Sequence, residues 1–359
     1  MKVFMAGNIS WLEFEPIKIP KTDQEAKEYT INIDGWTLCN SFEEFRKAIP
    51  NEDLYFEQLG PIHKAVLERS TAFIYSTIDI QTANEPSLEE KILAKAAAAG
   101  AISMMRSLAK YTFYSFWYFH DCSTTLDFAT SQVFDYPDCV AFGVNNEIYT
   151  ASGACKNTIL SRSFVNTWRV FTRKMEEILE TNFLLDKLFG IKMGHKDDSS
   201  LKKNKSNRIE RAIIFVNEAR ATADLPKKIA MYVASLECLF TTKNEEVTHK
   251  VSERCACYIE ATPESKMSTF YIIKKAYGIR SSYMHGKDVS LNREILIDIS
   301  VSIDEMLRVT LNKIINNHIE FFLRDPKDKT FPGKGSKAKP QFVEGLDSLF
   351  DKLVFGIPW

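Results

Sequence analysis

Arg280 and His285 stand with four residues between them in YGIRSSYMHGK, the stretch from Tyr277 to Lys287. Arginine carries a permanent charge and a planar fork of donors that matches phosphate oxygens. Histidine exchanges a proton near neutral pH. Side by side, the two suit cleavage of a phosphodiester. RNA brings its own nucleophile, the 2′-hydroxyl. An enzyme that activates it, neutralises the phosphate and protonates the leaving oxygen needs no metal. Most of the acceleration in such a reaction comes from stabilising the charge that builds at phosphorus. By itself the pair is a weak signal. Arg-x4-His arises by chance, and a histidine near a helix C-terminus is expected anyway, since it gains about 0.3–1 kcal/mol from the dipole.

The elements that must hold the pair can be read around it. Phe270, Ile273 and Tyr277 recur at a helical period, and Gly286 looks like the stop of that helix. Residues five apart on a helix are turned by about 140° and separated by about 7.5 Å. Arg280 continues the line of Ile273 and Tyr277, so it is expected to point toward the bundle interior or a partner. His285 sits where the helix ends, free to turn into a cleft. Three more apolar stripes precede this helix: Ile209, Ile213 and Val216; then Ile229, Val233, Leu236 and Phe240 behind Pro226; then Val247, Val251 and Arg254 to Tyr258. A fifth helix is expected from about Leu291 to Leu323. Short connections make this a bundle of antiparallel helices.

The first half reads differently. KVFMA, YTINIDGW and AFIYSTIDIQ are β-branched or aromatic and partly alternate, so they read as strands. SFEEFRKAI and SLEEKILAKAAAAGAISMMRSLAKY read as helices, opened by Ser41 with Glu44 and Ser87 with Glu90. CVAFGVNNEIYTASG reads as a hairpin with Asn145-Asn146 at its tip. From Phe164, a helical period runs through Trp168, Phe171, Met175 and Ile178. The expectation is therefore an α+β chain. A mixed α/β N-terminal region of unknown role fills 1–195, a linker or exposed loop 196–205, and an all-α helical bundle 206–324. A basic, breaker-rich tail with a short C-terminal helix fills 325–359.

Composition narrows the setting. A chain of 359 residues with a net charge of −1 gives bulk electrostatics no case for nucleic acid, so any such binding must come from a local patch. Seven cysteines without paired spacing suggest reduced thiols in a cytoplasm. The opening MKVFMAGNISWLEFEP is a poor signal peptide, and no stretch approaches the roughly 20 apolar residues of a membrane span.

Three stretches in order carry a resemblance. ASLECLF ends the second bundle helix, VSERCA lies on the third, and RSSYMHG closes the fourth. In sequence and spacing they resemble the HEPN superfamily, in its Apea-like branch, over about residues 207–317. The resemblance implies a helical bundle that dimerises, with two Arg-x4-6-His motifs around one cleft. It implies a metal-independent endoribonuclease of a prokaryotic antiphage, abortive-infection or toxin–antitoxin type, with no cofactor. Arg280 and His285 would be catalytic. Ser281 stands where many members have Asn, Asp or His, and Tyr283 lies within the motif. Glu237 matches a recurrent acidic position, and it reads equally as an ion-pair partner of Arg254 or Arg280. RNA would be the substrate, with an antitoxin or trigger-sensing protein as a further partner. Some members are non-catalytic modules that bind a nucleotide, RNA or a protein, and that alternative stays open.

Other constellations carry less. Cys255 and Cys257 are about 200° apart on a helix, poor geometry for zinc, so no metal site is expected. YTFYSFWYFHDC, with His120, reads as buried core before it reads as a base-stacking platform. The basic runs Lys202 to Arg208 and Lys327 to Lys339 read as solvated loops. A single Arg280 and His285, angled apart, make a sparse site for a reaction that needs both a base and an acid. Two-fold symmetry would double both groups, so a homodimer through the helical region is expected.

Overall fold

The computed structural model describes residues 1–15, 30–33, 35–79, 88–137, 140–144, 147–178, 207–243, 245–322 and 346–357. The chain is α+β and divides into two compact units. Among the described residues the first unit holds those of Met1–Ile148 and Cys155–Arg173. The second holds Tyr149–Ala154 and those of Lys174–Glu180 and His195–Trp359. The expected linker 196–205 and the start of the basic tail lie outside the described residues.

The first unit is built on a sheet of six antiparallel strands in the order β3-β4-β5-β1-β6-β7. Its strands are β1 (Lys2–Ser10), β3 (Thr30–Ile33), β4 (Trp36–Cys39), β5 (Phe73–Asp79), β6 (Thr125–Val133) and β7 (Val140–Val144). YTINIDGW is thus the start of a two-strand turn and not one strand. Two short parallel strands, β2 (Leu12–Phe14) and β8 (Thr158–Leu160), pair apart from the sheet. β1 is central and buried along seven of its nine residues, which explains its nearly unbroken apolar run. Phe4 and Ala6 join Phe45, Tyr55, Phe56 and Phe73 in a core under α1 (Phe42–Ala48) and α2 (Glu52–Arg69). Ser41 caps α1 by accepting from the Glu44 amide at 3.3 Å, as its spacing predicts. Ser87 lies outside the described residues. α3 (Leu88–Phe116) packs on β6, β7 and β1. Its aromatic end is core: Phe113, Phe116 and Trp117 are buried, and Trp168 of α4 (Arg162–Ile178) donates to the Ser115 hydroxyl at 2.6 Å.

The hairpin expected at Asn145-Asn146 is corrected. β7 pairs with β6, while residues 147–150 form no strand. Their backbone groups are used elsewhere. Tyr149 N–H donates to the Arg220 carbonyl at 2.9 Å, and the Ser300 hydroxyl donates to the Ala151 carbonyl at 2.6 Å. Tyr149–Ala154 therefore completes the helical unit from within the first half of the sequence.

That segment turns at Gly153, which has φ +74°, and a Cβ there would lie 2.7 Å from the Ala223 carbonyl oxygen. Gly153→Ala is expected to cost about 2 kcal/mol, from the left-handed backbone and the forced shift together. A urea titration of the two chains checks it.

The helical unit comprises α5 (Arg208–Arg220), α6 (Leu225–Phe240), α7 (Val247–Ile259), α8 (Pro263–Met284) and α9 (Arg293–Lys313). A π-turn at Ile314–His318, α10 (Ile319–Phe322) and α11 (Leu346–Val354) follow. The single helix expected from Leu291 thus starts two residues later, behind the Asn292 cap, and widens into the π-turn before resuming. α6 is the central helix, packed on α5, α7, α8 and α9. Its stripe of Ile229, Val233, Leu236 and Phe240 is fully buried. So is a polar pair between α6 and α9, in which Tyr232 donates to Asp304 at 2.7 Å beside Arg308 at 3.1 Å. Arg208, the end of one basic run, is no solvated residue. It is buried and donates to the Leu239 carbonyl at 2.7 Å, taking up one of the open acceptors at the end of α6.

Candidate active site at the end of helix α8

The motif glycine does structural work first. The Lys287 amide donates to the Ser282 carbonyl at 2.9 Å and the Gly286 amide to the Tyr283 carbonyl at 3.1 Å, with Gly286 at φ +64°. This pair of bonds is a Schellman closure, and it needs a residue that accepts a left-handed backbone. His285 is therefore the C-cap of α8, its amide held by the Ser281 carbonyl at 3.1 Å and its side chain exposed. The helix dipole favours positive charge at this end.

Arg280 lies a turn and a half earlier and faces the other way, toward α6. Its Nη2 donates to Glu237 Oε2 at 3.0 Å. The Arg280 side chain keeps 34% of its exposure and Glu237 keeps 22%. Among the described residues, Glu237 is the hydrogen-bond partner of this guanidinium, so further donors of the fork remain for a ligand. Of the two arginines that the sequence offers Glu237, Arg280 is the partner. Arg254 goes elsewhere. Its Nη1 donates to the Phe240 carbonyl at 2.9 Å and its Nη2 to Asp347 at 2.6 Å, with the guanidinium 4.7 Å from the Phe350 ring centre.

The three stretches that carry the HEPN resemblance thus meet. Glu237 and Phe240 come from ASLECLF, Arg254 from VSERCA and Arg280 from RSSYMHG. Ser281 is exposed and Tyr283 half-buried. Both serve the helix end through their carbonyls, and neither side chain makes a hydrogen bond among the described residues. The structure does not draw these two side chains to the Arg280–Glu237 pair.

Sequence reasoning placed Tyr277 on the buried line but gave it no role at the site. It is one turn before Arg280 on the same face and 7% exposed. Burial, reinforced by the neighbouring Glu237 carboxylate, pushes its phenol far above the usual tyrosine range. Its hydroxyl lies within hydrogen-bonding reach of that carboxylate. The signal was available: a tyrosine three residues before the motif arginine must face the same neighbouring helix.

Cys255 is buried and its thiol is pushed up to about 12 by burial, the reverse of an activated or metal-bound thiolate. Among the described residues no group of three or more His, Cys, Asp or Glu side chains is placed to hold a metal ion. Nor is any helix among them long and apolar enough to cross a membrane. No family model, no curated protein and no solved structure matches the chain.

Proposed function

We propose that the chain is a metal-independent endoribonuclease of HEPN type, acting in the cytoplasm within a prokaryotic antiphage or toxin–antitoxin system. One observation carries the reading. A single helix end offers a partly exposed arginine oriented by a carboxylate and, at its C-cap, an exposed histidine. In the proposed reaction the 2′-oxygen attacks phosphorus and the bond to the 5′-oxygen breaks. A histidine removes the hydroxyl proton or supplies one to the leaving oxygen, and Arg280 holds the phosphate charge. The products are a 2′,3′-cyclic phosphate and a 5′-hydroxyl. The sheet unit would sense a trigger or receive an antitoxin.

Because Arg280 and His285 diverge from one helix, the reading includes a homodimer that brings two of each to one phosphate. Gly278 supports it. This glycine is exposed in mid-helix, and the space beside it is open within 4 Å. A glycine there weakens the helix by about 1 kcal/mol relative to alanine, with no packing inside the chain to explain it. It shares the outer face of α8 with the exposed Met267 and Tyr271, about 200° around the helix from Arg280, and a second copy could approach closely there.

A second reading, a non-catalytic module binding a nucleotide, RNA or a protein, is favoured by the existing bond between Arg280 and Glu237. Incubating the purified chain with total RNA and a chelator separates the two. Cleavage fragments ending in cyclic phosphate are expected. Intact RNA together with tight ligand binding would leave the module. Sedimentation checks the dimer, and a monomer that cleaves at full rate would rule out a shared cleft.

A further inference from the structure

Between Glu264 and Asp288 the chain has no acid, and this stretch is α8 with its cap. It carries Lys266, Lys274, Lys275, Arg280 and Lys287, in a chain whose net charge is −1. At about 100° per residue, Met267, Tyr271, Lys274, Gly278 and His285 fall within about 60° of one another, and Lys275 stands beside them. Each of these side chains or backbone positions is exposed. Glu237 and Glu260 reach α8 on its inner side, where Arg280 and the buried Thr269 hydroxyl donate to them at 3.0 Å each. Among the described residues, no carboxylate forms a salt bridge with Lys274, Lys275 or Lys287. The face also carries rings. Tyr271 is 55% exposed and lies edge-on to Phe270, with ring centres 5.5 Å apart. Lys274 Nζ is 5.3 Å from the Phe270 ring centre, and the exposed His249 ring meets the same ring edge-on at 5.3 Å.

The proposed homodimer brings a second copy to this face. Two such faces set against each other would crowd the lysines of both, with no α8 carboxylate to receive them. Like charges opposed across an interface resist association. Met267 and Tyr271 do not outweigh that resistance, because a stable interface buries about 800 Å² per partner and two side chains supply a fraction of it. A strand of phosphates supplies the missing negative charge. Cations that follow the backbone and rings that stack on bases are the parts with which proteins hold single strands.

We infer that the outer face of α8 binds one strand of RNA and that a second copy joins only across that strand, so the dimer assembles on its substrate. This rests on the ribonuclease reading and adds when the composite site exists. A free chain carries one Arg280 and one diverging His285, and RNA itself completes the set.

The test uses the full-length chain and a 2′-O-methyl oligoribonucleotide of about 12 nucleotides, within the range that single-strand binders cover. Its blocked 2′-oxygen prevents cleavage. Sedimentation at about 50 mM salt, where surface charge is weakly screened, is expected to show a monomer without the strand and two chains on one strand with it. With Lys274, Lys275, Arg280 and Lys287 each neutralising one phosphate, tripling the salt should weaken binding per chain about twentyfold. Lys274→Ala combined with Lys275→Ala should halve the slope of that dependence. Tyr271→Ala should weaken binding about tenfold at every salt concentration. All three side chains are exposed and alanine favours the helix, so these variants keep the fold. A dimer of the free chain at low salt, one chain per strand with protein in excess, an unchanged salt slope in the lysine variant, or no binding of the oligonucleotide overturns the inference. A free dimer that cleaves RNA would overturn it while leaving the ribonuclease reading in place. Two chains on one strand without cleavage of natural RNA would uphold strand-driven assembly and remove the ribonuclease reading.

Discussion

His285→Ala is expected to abolish RNA cleavage while leaving the fold intact. Loss of a general acid or base costs about 10²–10⁴-fold. The histidine is an exposed C-cap whose amide, not its ring, holds the helix end. Alanine keeps that amide, and Gly286 still closes the turn. Stability should therefore change by no more than the dipole contribution, about 0.3–1 kcal/mol. Arg280→Ala should match it in activity but not in stability, because it strands Glu237 at 22% exposure. Single-turnover cleavage of a labelled RNA, read beside urea unfolding of the same preparations, checks both. Equal cleavage by wild type and His285→Ala would remove the histidine from the mechanism and leave the binding-module reading.

The second large effect lies at Arg254 and Asp347. α11 is joined to the bundle through residues outside the described ones, and it docks by burying Leu346, Leu349 and Phe350. Its carboxylate Asp347 receives Arg254 at 2.6 Å and Lys243 at 2.8 Å. Burial by itself would raise the Asp347 pKa. Hydrogen bonds from Lys243, Thr242 and Arg254 outweigh it and hold the group well below its ordinary 3.8. A folded-state pKa below the unfolded one gives stability that is complete above about pH 4. It is lost as acid protonates the folded carboxylate. Arg254→Ala removes this counter-ion, the donor to the Phe240 carbonyl and the cation over Phe350 at once. The expected cost is about 3 kcal/mol, the low end for breaking a buried pair, because Asp347 keeps 30% of its exposure. Urea midpoints at pH 7 and pH 3 should show it, with the gap between wild type and Arg254→Ala narrowing in acid. A gap that does not narrow would mean that packing, not the ion pair, holds α11.

Much of the site could be read before the structure. The line from Ile273 through Tyr277 to Arg280 followed from the helical period, and so did the divergence of Arg280 from His285. Gly286 marked the stop because few other residues accept its backbone. The choice of Arg280 over Arg254 for Glu237 could not be read. It depends on Asp347, which lies 93 residues beyond Arg254 and claims it first. Local periodicity carries no information about such a partner. The same limit explains the hairpin. Asn145-Asn146 looks like a tip, but β7 takes its hydrogen bonds from β6, which belongs to an earlier stretch. Residues 149–154 meanwhile find their acceptors and donors on α5 and α9. Register is decided by which backbone groups are left open across the whole chain, and no short window contains that account.

The placement of Tyr149–Ala154 has a consequence for how this chain can be divided. A gene fragment starting near residue 206 would encode every helix from α5 onward, yet omit a strap that those helices need. The Arg220 carbonyl and the Ser300 hydroxyl would each lose a partner, and the site of Gly153 beside Ala223 would stand open. Recombination that swaps the front half for a different domain must bring an equivalent strap or leave an incomplete recipient. The two halves are thus tied as inherited units, and exchange is easier as a whole chain than as separate parts.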